Sequence, residues 1–305
     1  MKPPITLLTI LICSVFFTNN LTAQSDSSKI KEASFEFPHT LNRLFSVSTS
    51  RVMNSLDFSL LLGNSFGFSE NTGFLGTLGL GLGGYGDIEL GSESLVGSMF
   101  NSKDAFTNVG MRIKLLTDGE YLPGLSIGLR TNNEWNSSRN DSRFIFETAE
   151  DLFGQGLRTA NYDSRLTTLF VALSRTLRPD FNVHLGVSYS DLRFKNVYTV
   201  YLTNQIYSNE EEKKDNIFNL FGGLEYQLSN RTILIFEAQS FPYLKVSTQD
   251  GTLSAARRVV TGFGIRFFVS KWLLVDSGIR YQDNYTGLAD AELRVGLNGI
   301  WNAGF

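Results

Sequence analysis

Between positions 181 and 190 every second side chain is apolar. Phe181, Val183, Leu185, Val187 and Tyr189 share one parity, while Asn182, His184, Gly186, Ser188 and Ser190 hold the other. Successive strand residues point to opposite faces, so the segment has one greasy wall and one wet wall. The same grammar ends the sequence. Leu293, Val295, Leu297, Gly299, Trp301, Ala303 and Phe305 share a parity; Glu292, Arg294, Gly296, Asn298 and Asn302 share the other, with Ile300 the exception. One such segment fits any half-buried sheet. Its recurrence, and the connections between repeats, decide between a soluble all-β protein and a closed barrel in a membrane.

The connections alternate strictly. Segments 75–83 and 87–94 flank Gly84-Tyr85-Gly86, and 106–116 and 125–131 flank Thr117-Asp118-Gly119-Glu120. Segments 166–176 and 181–190 flank Arg178-Pro179-Asp180, 217–228 and 232–240 flank Ser229-Asn230-Arg231, and 258–269 and 272–282 flank Ser270-Lys271. Turn residues of these kinds close hairpins. The intervening connections, 134–164, 192–215 and 241–256, are longer and more polar. Tight periplasmic turns alternating with long extracellular loops are the pattern of outer-membrane barrels, whereas a compact soluble domain rarely tolerates such loops. With 55–66 as the first strand the expectation is an all-β fold: a closed antiparallel transmembrane β-barrel of about 12 strands, both ends on the short-turn side. Only closure satisfies every backbone group inside lipid.

Charge follows the same parity. A Lys or Arg on the lipid face near mid-membrane costs about 2–4 kcal/mol. Arg112, Lys114, Arg130, Arg266, Arg280 and Arg294 fall on the wet parity, as do Glu89, Glu225, Glu237, Asp276, Glu292 and His184. These are the candidate lumen residues; Arg175, near a turn, is the one mild exception. They admit two readings: a narrow pore of mixed sign, or interior ion pairs that only stabilise the barrel. Aromatics near segment ends (Tyr226, Trp272, Trp301 and Phe305 on the turn side, Tyr189 and Tyr281 on the loop side) resemble interfacial girdles.

The N-terminus reads as a signal peptide over 1–23: Lys2, an apolar run over 5–17, and Leu21-Thr22-Ala23 before the cleavage point. Its loss removes the only cysteine, Cys13, and takes the net charge from −3 to about −4 as Lys2 leaves. The mature chain therefore offers no disulfide, thiolate or cysteine metal site, and no basic patch suggests nucleic acid. Residues 24–53 are expected as a periplasmic leader, or as a small plug threaded into a barrel spanning 54–305.

Enzyme signatures fall short. Gly81-Leu82-Gly83-Gly84-Tyr85-Gly86 has dinucleotide-type glycine spacing, yet Asp87-Ile88-Glu89-Leu90 after it reads as a strand, not the helix that phosphate binding needs. His184 shares its face with Ser188, but four residues of strand put roughly 13 Å between them. Asp141, Glu147, Glu150, Asp151 and Asp163 cluster in one long connection with no histidine beside them. No catalytic, cofactor or metal residue is expected.

Several runs carry a family resemblance: Tyr85-Gly86-Asp87-Ile88-Glu89-Leu90-Gly91, Val109-Gly110-Met111-Arg112-Ile113-Lys114-Leu115-Leu116, Leu122-Pro123-Gly124-Leu125-Ser126-Ile127-Gly128-Leu129-Arg130 and Phe221-Gly222-Gly223-Leu224-Glu225-Tyr226. Over roughly 84–302 the chain resembles bacterial outer-membrane barrels of the YjbH type, associated with exopolysaccharide production, and related transporter-like barrels. The resemblance implies an outer-membrane location and a role in polysaccharide export. The partners expected are therefore outer-membrane lipid, a small solute or polysaccharide, and the barrel-assembly machinery, which would read Trp301 and Phe305 in the C-terminal strand as an insertion signal. A structural or surface-binding barrel is the alternative to a channel, with an outer-membrane hydrolase the least favoured.

Overall fold

A computed structural model describes residues 41–63, 75–92, 108–132, 157–201, 206–246, 253–282 and 292–303. Residues 1–23, expected as a signal segment, Phe305 and the acids of 141–151 lie outside the described residues. The strands are β1 (Asp57–Gly63), β2 (Leu75–Leu82), β3 (Gly86–Ser92), β4 (Asn108–Leu116), β5 (Gly124–Asn132), β6 (Leu157–Arg178), β7 (Phe181–Tyr201), β8 (Ile206–Asn209), β9 (Lys213–Ser229), β10 (Thr232–Val246), β11 (Leu253–Phe268), β12 (Leu273–Gln282) and β13 (Glu292–Asn302). The sheet runs β6-β5-β4-β3-β2-β1-β13-β12-β11-β10-β9-β7, and β6 pairs with β7 to close it. β8 continues the column of β9 along β7, so the wall is a closed antiparallel barrel of 12 strands.

Side-chain exposure follows the parity of the sequence. On β4, Val109, Met111, Ile113 and Leu115 are exposed, while Arg112 between them is 2% exposed. On β11, Phe263, Ile265 and Phe267 face out, and Arg266 is 2% exposed. A wall that hides its charges and presents its greasy residues is inverted relative to a soluble protein, and is stable only against lipid. At the short-turn end Trp272 stacks on Trp301 with centroids 6.1 Å apart, and Phe58 lies 6.5 Å from Trp301. Arg175 escapes the lipid cost through its neighbours. Its guanidinium donates to the Gly119 carbonyl, to the Leu122 carbonyl at 3.0 Å and to the Glu120 carbonyl at 2.5 Å, tying down the β4–β5 turn.

The β2–β3 turn settles the glycine motif. Gly83 and Gly84 have φ of 63° and 71°, a pair of left-handed residues that a tight hairpin demands and that side chains resist. The residues after it form β3, as the sequence suggested.

Three expected loops are shorter than read. β6 begins at Leu157, inside the presumed 134–164 loop; β7, β8 and β9 take most of 192–215; β10 and β11 reach Val246 and Leu253. Outside the hydrocarbon layer a ladder needs no greasy face, so pairing continues after the alternation that marks it has faded.

Candidate functional site

The stretch assigned to the leader divides. Residues up to 40 lie outside the described residues, while 41–53 sit inside the barrel. Asn42 to Thr49 fold as a tight hairpin: Thr49 N–H donates to the Asn42 carbonyl at 3.1 Å, Leu44 N–H donates to the Val47 carbonyl at 2.9 Å, and Arg43 pairs with Ser48. Leu44 and Thr49 are fully buried, and Val47 is nearly so.

One end of the hairpin is held by β3, β4 and β5. Asn42 Nδ2 donates to Glu89 Oε1 at 2.8 Å, and Arg43 Nη2 lies 3.0 Å from the same oxygen. Arg112 Nη1 faces three main-chain carbonyls: Asn42, Thr49 at 3.1 Å and Arg51 at 3.1 Å. Ser126 Oγ also donates to the Thr49 carbonyl, at 3.3 Å.

The other end is held by β10, β11 and β13. The Glu237 carboxylate accepts the Ser46 N–H at 2.9 Å, the Val47 N–H at 3.2 Å and the Ser46 hydroxyl at 2.7 Å. Arg266 donates to the Leu44 carbonyl at 2.7 Å and the Arg43 carbonyl at 3.3 Å. Arg294 donates to the Phe45 carbonyl at 2.9 Å and lies over the Phe45 ring. In the ring of strands β3–β5 and β10–β11 face each other, so the hairpin is a crossbar spanning the lumen.

Packing adds to the polar ties. Leu44, Phe45 and Val47 cluster with Ile235, against Phe221 and Ile233. A Cβ on Gly223 would stand 2.2 Å from Leu44 Cδ1, so that glycine makes room for the hairpin. The chain then returns along the short-turn end: Ser50 N–H donates to Ser174 Oγ at 2.8 Å, Arg51 pairs with Glu225 at 2.6 Å, and Met53 N–H reaches Asp87 at 3.4 Å. Leu56, at φ 59°, turns it into β1; a bulky residue in that region carries strain of about 1–2 kcal/mol. Beside the hairpin a cavity of about 30 Å³, lined by Leu44, Phe45, Leu61, Thr77 and Asn298 among others, has room for about one water.

The wall residues singled out in the sequence meet at this crossbar in two groups. Glu89, Arg112 and Arg130 form one, with Arg130 3.2 Å from Glu89 and both guanidiniums over the Phe170 ring. Glu237, Arg266, Asp276 and Arg294 form the other; Arg266 holds Asp276 through two bonds of 2.8 and 3.0 Å, and Arg294 lies 3.7 Å from Glu237. Lys114 is half-buried near the short-turn rim, and Arg280 half-buried opposite Glu292 in the β12–β13 register. Trp301 belongs to the aromatic girdle, not the lumen.

His184 is fully buried between Ser174 Oγ, 2.8 Å from Nδ1, and Glu225 Oε2, 3.3 Å from Nε2. A serine, histidine and acid in contact invite a hydrolase reading, with Ser174 of β6 in place of the distant Ser188. The surroundings say otherwise. Ser174 Oγ already accepts the Ser50 N–H, Glu225 holds Arg51, and the hairpin's return limb covers all three. With the hairpin in place the trio clasps residues 50 and 51, and an acyl group has no approach.

Sequence reasoning missed Asp87, Ser126 and Ser174 as lumen groups, and Asn42, Ser46, Thr49 and Arg51 as hairpin groups that meet the lumen wall. Leu41, Leu44, Phe45 and Val47, apolar in an otherwise polar leader, were the signal that this stretch is buried.

No family model matches the chain, and no curated protein matches it. Solved structures with related folds are outer-membrane barrels. The translocator domain of the autotransporter NalP from Neisseria meningitidis is 14% identical, with 80% of this chain and 85% of that chain covered and a TM-score of 0.40. The NanC porin is 11% identical, with 82% and 100% covered and a TM-score of 0.42. The CymD monoaromatic hydrocarbon channel is 8% identical, with 82% and 87% covered and a TM-score of 0.36. Overlaps this low leave the function to the chain's own residues, and none of these neighbours is a YjbH-type protein.

Proposed function

We propose that the protein is a narrow outer-membrane channel closed at rest by its own residues 41–53. The observation that carries this reading is the crossbar itself, a lumen spanned by a hairpin whose ties are mostly polar and therefore exchangeable for water. A greasy exterior calls for a bilayer, and among bacterial membranes the outer one houses barrels of this kind. An exported polysaccharide, which the family resemblance implies, would have to displace the hairpin along its whole length. A permanently sealed envelope barrel is the competing reading, favoured by the density of those same ties.

Planar-bilayer recording separates the two. The native chain should be almost silent, and a variant with the hairpin dislodged should show discrete conductance steps. A dislodged variant that stays silent refutes the channel. The open pore should also discriminate weakly between small cations and anions, because the exposed wall would carry Arg112, Arg130, Arg266 and Arg294 interleaved with Asp87, Glu89, Glu225, Glu237 and Asp276. A reversal potential near zero in a salt gradient is the expected reading; strong selectivity for either sign would contradict it.

A further inference from the structure

Most of the ties between wall and hairpin are directed at main-chain atoms, beside side-chain ties from Asn42, Arg43, Ser46 and Arg51. Glu237 accepts two backbone N–H groups, at 2.9 and 3.2 Å. Arg112 addresses three backbone carbonyls, Arg266 two and Arg294 one. Ser126 donates to a carbonyl and Ser174 accepts an N–H. Glu237, Arg112 and Arg266 are each at most 2% exposed, so these are fixed groups in a dry site, where hydrogen bonds to charged partners are strong. Donors and acceptors that read the repeating atoms of a polypeptide are indifferent to its side chains. Specificity then rests on one apolar seat, where Ile235, Ile233 and Phe221 receive Leu44, Phe45 and Val47, and on the side-chain ties of Asn42, Arg43, Ser46 and Arg51.

We infer that the lumen is a polypeptide-binding site, now filled by the chain's own hairpin, and that when the hairpin leaves it takes another peptide segment with apolar residues at the turn. The inference rests on the closed-channel reading for how the site is vacated, and it names the ligand class that reading leaves open. Sugars lack the alternating amide N–H and carbonyl groups to which Glu237 and the arginines are matched.

The test uses the full chain carrying Leu44→Asp and Val47→Asp, which places two charges in the apolar seat and dislodges the hairpin. Fluorescence anisotropy follows binding of a labelled synthetic peptide with the native sequence of residues 41–53, independently of conductance. A second peptide, N-methylated at the amides of residues 46 and 47, removes only the two N–H groups that Glu237 accepts. A third keeps Asn42, Arg43, Ser46 and Arg51, whose side chains meet the wall, and replaces Ser48, Thr49 and Ser50 by alanine. The expected result is saturable binding of the first, at least about tenfold weaker binding of the second, and binding of the third within about threefold of the first. Equal binding of the N-methylated peptide, loss of the alanine peptide, or no binding of the native peptide overturns the inference. A variant that binds peptide but conducts nothing refutes the channel while leaving the peptide site standing. The single variants Leu44→Asp and Val47→Asp repeat the measurement should the double variant fail to insert.

Discussion

Glu237→Ala turns an almost silent barrel into one that conducts, with open probability rising by about a thousandfold. The carboxylate is 1% exposed and serves four groups at once: two backbone N–H groups and the hydroxyl at the hairpin tip, and the Arg294 guanidinium. Truncation leaves buried donors without an acceptor, at about 1–3 kcal/mol for each such group, and breaks a buried pair, at about 3–5 kcal/mol. These contributions overlap, since the same carboxylate supplies them all. A combined loss of about 4 kcal/mol is a fair central figure, and each 1.4 kcal/mol is a factor of ten. The barrel wall is spared because the β10 ladders to β9 and β11 do not involve this side chain. A heat-modifiable band on a gel shows that the variant still inserts, and Glu237→Gln, which keeps one acceptor, should fall between the two. An Ala variant that inserts and remains silent would mean that the hairpin is held by its other ties alone.

The second large effect concerns the outside of the barrel. Phe263 sits in the middle of β11, is 52% exposed, and lies opposite Phe236 and Ile279. Phe263→Arg should lower the free energy of folding into lipid vesicles by about 2–4 kcal/mol, a shift of about thirty-fold to a thousand-fold in the folding constant. Val259, four residues nearer the loop and two from the exposed Arg257, should tolerate arginine with a loss of no more than about 1 kcal/mol. Denaturant titration of the vesicle-inserted protein reads both. Equal effects at the two positions would contradict a bilayer boundary placed by these strands.

Much of the wall was legible because lipid imposes a rule on every second residue. Phe263, Ile265 and Phe267 against Arg266, or Leu293, Val295 and Leu297 against Arg294, state the inside and outside of the barrel in the sequence itself. The strand ends above the membrane were not legible, because at 157–165 and 191–201 water relaxes that rule while the ladder persists. The lumen partners were hidden for another reason. Parity says which residues face inward but not what they meet, and the pairing of Glu237 with Ser46 spans 191 residues of sequence. Register was recoverable in one case: a turn centred on Pro179 puts Ser174 opposite His184, a pairing the structure reaches through an irregularity between Thr176 and Arg178.

The crossbar is tested most directly by fixing its tip to the wall. Gln239 Nε2 donates to Ser46 Oγ at 3.2 Å, so Ser46→Cys and Gln239→Cys, placed in the Glu237→Ala chain, bring two thiols within reach of a short bis-methanethiosulfonate, which joins them through two disulfides with release of two sulfinates and is cleaved by a reductant. Joining them should silence the conductance that Glu237→Ala opens, and cleaving the link should restore it. Conductance that persists unchanged in the fully joined protein would contradict a lumen closed by residues 41–53.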